Sequence, residues 1–298
     1  MGHAQSRQHD RQSDGVSVPR REETTTAGGD WLRTITERNQ INITAMNTVN
    51  AKIIRIEETS STNEYLRNYK PQAGEEMTVV TADYQTAGRG QGKNTWESNS
   101  GENLLFSILC HPKNVPANRQ FVLSQAIALA IRDALRMFIG DIEIKWPNDI
   151  YWHDHKLGGI LIECSLAGSK VKDCILGVGI NINQESFENL TKNPISVRQI
   201  TNRTISRSNL LNSIIADFDD YLHIIDSGHY DGIMSDYLSV LYRRQGYHHY
   251  RDADGDFMAR LITIEPSGRL VLMDEDGMLR SYAFKEVKFM IKGKNVDV

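Results

Sequence analysis

The chain is short of the features that would set it apart from ordinary soluble proteins. It has only three cysteines, Cys110, Cys164 and Cys174, in 298 residues. That number is odd and too small for a disulfide framework, so a reducing compartment, the cytoplasm, is the expected setting. No apolar run approaches the roughly 20 residues that span a bilayer, so no membrane association is expected. Asp10 and Asp14 fall where a secretory signal would carry apolar residues. Neither sign of charge dominates: 34 Lys and Arg stand against 38 Asp and Glu, a formal net charge of −4. A surface built to coat nucleic acid would be markedly basic, so no nucleic-acid partner is expected. Hydrophobic residues make up 40% of the chain and charged residues 24%, which is enough for a packed core. Function therefore has to be carried by local motifs.

Three regions follow from patterning. Residues 1–45 are rich in Ser, Thr, Gln, Arg and Gly and keep no helical or strand period, which predicts a disordered tail. Residues 46–243 mix strand-like stretches (52–58, 77–85, 103–110, 142–149, 156–166 and 173–183) with helical ones (61–69, 119–138, 208–225 and 231–242). Their irregular alternation predicts an α+β domain with a mixed or antiparallel sheet rather than a doubly wound parallel one. Residues 244–298 carry short alternating stretches between Asp254-Gly255, Pro266-Ser267-Gly268 and Asp276-Gly277, which predicts a small β-barrel.

Four segments have residue types suited to ligand chemistry. Gly88-Arg89-Gly90-Gln91-Gly92-Lys93 combines glycines, which let backbone approach a ligand, with two cations. Its spacing is neither that of a Walker A loop nor GxGxxG, and an ordinary turn would also use glycines. Lys145-Trp146-Pro147-Asn148-Asp149 places a polar pair at a strand end, as a plain Pro-Asn-Asp turn also does. The run from Lys156 to Glu163 brings a lysine into an apolar strand beside Gly158 and Gly159. An edge-strand charge is the alternative there. Gly177-Val178-Gly179-Ile180-Asn181 has two strand glycines, which mark either a bulge or a close approach. Other patterns carry less. His153 and His155 lack a third metal ligand, and Asp252 to Asp256 lacks the glycine and glutamate of a calcium loop. The three cysteines lie in apolar strands and read as core.

Taken in order with Ser61-Thr62-Asn63 and Gln85-Thr86-Ala87, these blocks are specific. The sequence resembles the biotin protein ligases over about residues 52–292, in the monofunctional class without a DNA-binding domain. The resemblance implies the catalytic fold shared by biotin and lipoate ligases, which is like that of class II synthetases, followed by an SH3-like C-terminal barrel. It implies ATP with Mg²⁺, biotin as substrate, and a biotin carboxyl carrier domain as acceptor partner. Biotinyl-5′-AMP forms first, and a lysine of the carrier then displaces AMP. By this resemblance Lys156, Arg89 and Asp149 are catalytic. Ser61, Thr62, Asn63, Gln85, Gly88, Trp96, Gly158 and Gly159 face biotin. Arg89, Gly90, Lys93, Trp96, Asn148, Lys156 and Asn181 face the nucleotide, and no protein-held metal is implied. Trp146 is, by type, a further apolar wall.

Two departures qualify the match. Gln91 stands where many members have a second loop arginine, and Lys93 is its expected partial replacement. Residues 1–45 are too short and aperiodic for a winged helix-turn-helix, which disfavours a biotin-sensing repressor. A lipoate ligase is the near alternative, and the Lys145–Asp149 block with the C-terminal module favours biotin. A sheet edge is a candidate for homodimerisation, which the sequence leaves open.

Overall fold

A computed structural model describes residues 1–2, 49–188 and 193–290. The expected tail at 1–45 falls outside these residues apart from its first two. Seven strands form the larger sheet: β1 (Ala51–Thr59), β2 (Met77–Gln85), β3 (Leu104–Cys110), β4 (Ile142–Lys145), β5 (Asp149–Trp152), β6 (His155–Ala167) and β7 (Lys170–Ile180). Their order is β1-β2-β3-β7-β6-β5-β4. Only β1 and β2 run parallel, and every other neighbouring pair is antiparallel. The expected mixed sheet is therefore present, with one correction in detail. The stretch 142–149, expected as one strand ending in a Pro-containing turn, is instead β4, a turn over Trp146–Asn148 and the start of β5 at Asp149, so the turn closes a hairpin.

Strand periodicity divides the sheet into two faces. Val79 joins the large core while its neighbour Val80 joins a small cluster with Leu66, Leu109 and Ile175. The large core lies under α2 (Phe121–Leu135), α4 (Arg207–Asp226) and α5 (Tyr230–Ser239). The apolar positions of α2 run around most of its circumference, and Leu123, Ile127, Leu129 and Ile131 are essentially inaccessible. Burying each such side chain stabilises by roughly 1.5–3 kcal/mol. A parallel pair needs a crossover, and α1 (Thr62–Asn68) is that crossover between β1 and β2. It lies over the small cluster, leaving the rest of that face open. A short helix that the sequence did not announce, α3 (Val197–Thr201), begins with a capping box of Ser196 and Gln199.

The C-terminal region contributes β8 (His248–Asp252), β9 (Gly255–Ile264), β10 (Leu270–Asp274), β11 (Leu279–Tyr282) and β12 (Lys288–Phe289). Their order is β11-β10-β9-β8-β12. Among the described residues this sheet is open, because its two end strands do not pair and β12 is only two residues long. The expected barrel is thus an open five-stranded sheet. It belongs to the same unit as the larger sheet, Asn47–Val298. Trp146 joins the two: its indole N–H donates to the Gly268 carbonyl at 2.8 Å, and the ring is 5% exposed.

Candidate active site

A cavity of about 270 Å³ opens on the face that α1 leaves uncovered. Its floor is made by β6 and β7, where Gly177 and Gly179 stand because nothing larger fits. A Cβ on Gly179 would come 2.5 Å from Cε2 of Trp96, and one on Gly177 would come 2.0 Å from Oδ1 of Asn63. The strand glycines are therefore close approaches to side chains from other elements, not bulges.

One wall is uncharged and polar. Ser61 caps α1 by position, but its hydroxyl makes no capping bond. The Thr62 amide is satisfied instead by Gln85, whose Oε1 accepts from it at 2.8 Å and from the Thr62 hydroxyl at 3.1 Å. The carbonyl of Gln85 is thus committed, leaving its amide nitrogen for a ligand. The hydroxyl of Ser107 stands 2.7 Å from Thr62 Oγ1 and 2.6 Å from Asn63 Oδ1, fully buried beneath both.

The opposite wall is cationic. Arg89, Lys156 and Lys285 all line the cavity. Asp149, the one carboxylate in that lining, receives the Lys156 ammonium at 2.6 Å. A register shift between Ile150 and Tyr151, where β5 pairs with β6, helps set Lys156 beside Asp149. Asn148 completes this corner by donating to the Ile160 carbonyl at 2.6 Å. The loop closes over the top through a bridge between Arg89 and Thr95. Two of its buried polar atoms have no protein partner, the Trp96 indole nitrogen and Gln91 Oε1. An unpaired buried donor is costly unless a ligand or water satisfies it.

Not every expected residue reaches the cavity. Ser61, Thr62, Asn63, Gln85, Arg89, Gly90, Trp96, Asn148, Asp149, Lys156 and Gly159 do. Lys93 does not, and the second loop-side cation is Lys285, from the C-terminal region. The Lys285 ammonium sits 2.5 Å from where a Cβ on Gly92 would fall. Asn181 also stays outside the lining. Its amide donates to the carbonyls of Lys156 at 3.4 Å and Ile195 at 3.2 Å, so it holds the backbone that carries Lys156. Gly88 and Gly158 lie just beyond the lining, pressed against the carbonyls of Trp96 and Gly179. Trp146 is no wall, since its ring is buried toward Gly268. Sequence reasoning missed Tyr151, Phe284 and Lys285 in the lining. The last two follow β11 in a turn whose docking no local pattern announces.

Lys145 is the least ordinary residue near the site. Its side chain is 1% exposed, and its ammonium donates to the Tyr151 hydroxyl at 3.1 Å and lies 4.7 Å from that ring's centre. Burial pushes its pKa down to about 8 against the opposing pull of Asp149. The fit to a resident Mg²⁺ is poor. A hard dication wants several oxygen donors, the single lining carboxylate is already paired, and no group of three His, Cys, Asp or Glu suited to a metal occurs among the described residues.

Residues 55–181 match the Biotin/lipoate A/B protein ligase family. The match spans β1 through β7 and so contains the polar wall, the loop and the Lys156–Asp149 pair. The similarity to this family covers residues 55–181 of the 298. A relative in Bacillus subtilis, the bifunctional ligase/repressor BirA, is 28% identical over 228 residues, covering 75% of this chain and 70% of that protein. The biotin–[acetyl-CoA-carboxylase] ligase of Mycobacterium tuberculosis is 31% identical over 138 residues, covering 45% of this chain and 50% of its own. The biotin protein ligase of Aquifex aeolicus, solved with biotin and ATP, superposes with a TM-score of 0.66 at 23% identity. That alignment covers 80% of this chain and 99% of the other, so the shared fold extends through the C-terminal sheet.

Proposed function

We propose that the chain is an ATP-dependent biotin–protein ligase. The observation that carries this reading is that uncharged polar groups and cations, Lys156 among them, line one cavity. Ser61, Thr62, Asn63 and the Gln85 amide offer hydroxyl and amide partners, which suit a buried, uncharged ureido ring. Arg89, Lys156 and Lys285 offer positive charge, which suits a carboxylate meeting a phosphate. Lys156 is the cation of that wall that would meet both anions where they join.

In the first step the biotin carboxylate attacks the α-phosphate of ATP, giving biotinyl-5′-AMP and releasing pyrophosphate. Lys156 and Arg89 neutralise charge that builds on the phosphate, and the chain's own cations do this without a metal held by the protein. Holding both substrates together supplies much of the remaining acceleration. In the second step an acceptor lysine, on a biotin carboxyl carrier domain, attacks the adenylate carbonyl and AMP leaves. An amine with a pKa near 10.4 is mostly protonated at neutral pH. Asp149 is the carboxylate placed to orient it and take its proton.

Biotin-dependent ATP–pyrophosphate exchange tests this directly. Exchange with biotin and none with lipoate is the expected result, because a dithiolane ring gives the polar wall nothing to bond. Exchange with lipoate alone would replace the reading, and exchange with neither would end it. The Bacillus relative is also named a repressor, so the chain is to be tested by gel shift against biotin-operon promoter DNA. Specific retardation would add DNA binding to the assignment.

A further inference from the structure

Glu163 lies two residues beyond Leu161 on β6, so it extends the strand face that Gly159 and Leu161 present to the cavity. It is not in the lining itself. Its carboxylate instead collects donors from two other elements. Arg67, at the end of α1, reaches Oε1 at 2.7 Å and Oε2 at 2.9 Å. Arg89, from the loop, reaches the same two oxygens at 3.1 and 3.2 Å. Asn63 adds a third donor at 3.1 Å.

Two guanidiniums thus share one carboxylate, and one unit of positive charge stays uncommitted. That surplus sits at the edge of a cavity read as binding an anionic adenylate. Burial opposes the charge on Glu163, but the bonds from Arg67 and Asn63 and the nearby guanidinium charges hold its carboxyl below the usual range. The carboxylate is therefore ionised at neutral pH and able to aim a cation.

The same contacts tie the two walls together. A continuous chain of polar contacts runs from Gln85 through Thr62, Ser107 and Asn63 to Glu163, and from there to Arg89. It starts and ends on the two flanks of the loop's first turn. Without Glu163 nothing in this chain would fix the Arg89 guanidinium, and Arg67 and Arg89 would repel one another.

We infer that Glu163 is a positioning residue, which holds the Arg89 guanidinium at the cavity and couples the loop to the biotin-side wall through Asn63. This inference rests on the ligase reading. Glu163→Gln keeps the size of the side chain and an acceptor for Asn63, so the fold has reason to persist. Partly exposed ion pairs contribute about 1 kcal/mol or less, so the lifetime of bound biotinyl-5′-AMP is expected to shorten up to about fivefold. The deciding measurement is a double-mutant cycle on that lifetime. Arg89→Ala shortens it alone, and adding Glu163→Gln to Arg89→Ala is expected to change nothing further. A merely structural Glu163 would shorten it by the same factor in both backgrounds, and that additive outcome overturns the inference while leaving the ligase reading intact. Absence of biotin-dependent exchange in the unsubstituted chain would overturn the ligase reading and this inference with it.

Discussion

The Lys156 ammonium donates to Oδ1 of Asp149 at 2.6 Å, with both side chains largely out of solvent at 15% and 8% exposure. The two residues proposed for successive half-reactions therefore begin as one pair. An anionic ligand competing for the lysine would break this pair and free Asp149 to face an incoming amine.

Lys156→Ala is expected to lower the rate of ATP–pyrophosphate exchange by about 10²–10³, the usual loss for a preorganised group at developing charge. Asp149→Asn should spare exchange more than it spares transfer to the acceptor. Measuring the two half-reactions separately checks this, and equal losses in both would contradict separate roles.

Gly179→Ala is expected to displace Trp96, because the new methyl would lie 2.5 Å from the indole. Overpacking of this kind costs about 1–3 kcal/mol. Here the loop yields more readily than the sheet, so the loss should appear as weaker adenylate binding with little change in melting temperature. Indole fluorescence on ligand addition follows the displacement.

Lys285→Ala is expected to raise the KM for ATP several-fold, leaving the KM for biotin unchanged. Lys93→Ala should do less, since Lys93 lies outside the cavity lining. A larger ATP effect from Lys93 than from Lys285 would reverse that assignment.

Lys145 gives a pH signature. Its pKa is about 8 in the folded chain against 10.5 for an ordinary lysine. Below pH 8 both folded and unfolded states carry the proton, and burying the charge costs roughly 3 kcal/mol. Between pH 8 and 10.5 the unfolded state binds more proton than the folded one, so stability rises with pH. Lys145→Met should therefore melt above the parent at pH 7, with the gap shrinking as the pH approaches 10. A gap that stays constant across that interval would contradict the buried, charged lysine.

Trp146→Phe separates packing from ligand contact. It removes the bond to the Gly268 carbonyl and is expected to lower stability by about 1 kcal/mol, with adenylate binding unaffected. A specific loss of binding would return Trp146 to the cavity wall.

Much of this was legible from residue order, and the misses share a cause. Residues 77–85 form β2 as expected because a β-branched run there ends at the glycine loop, and α2 falls inside the expected 119–138 because its apolar positions run all round. The glycine loop and Lys156 stand out because each puts an unusual residue type inside a regular pattern, whereas Ser61, Thr62, Asn63 and Gln85 are singled out only by the resemblance. Lys93 and Lys285 are both lysines in turns, and only tertiary docking decides which one meets the cavity. Asn181 was assigned to the nucleotide from resemblance, but its amide holds the Lys156 backbone, a choice set by the geometry of 193–195. Glu163 was visible in its motif, yet its role depends on two arginines brought from α1 and the loop.

The cavity draws on Ser61 near one end of the described chain and Lys285 near the other. During synthesis the polar wall and the loop can assemble early, since β1, α1 and β2 are close in sequence. The floor must wait for β7, and the last cation for the turn after β11. A nascent chain thus has no complete ligand cavity until the turn after β11 has emerged. Adenylate binding is for that reason a late reporter of maturation, and a chain cut before residue 284 would have every residue of the family match and still lack part of its cavity.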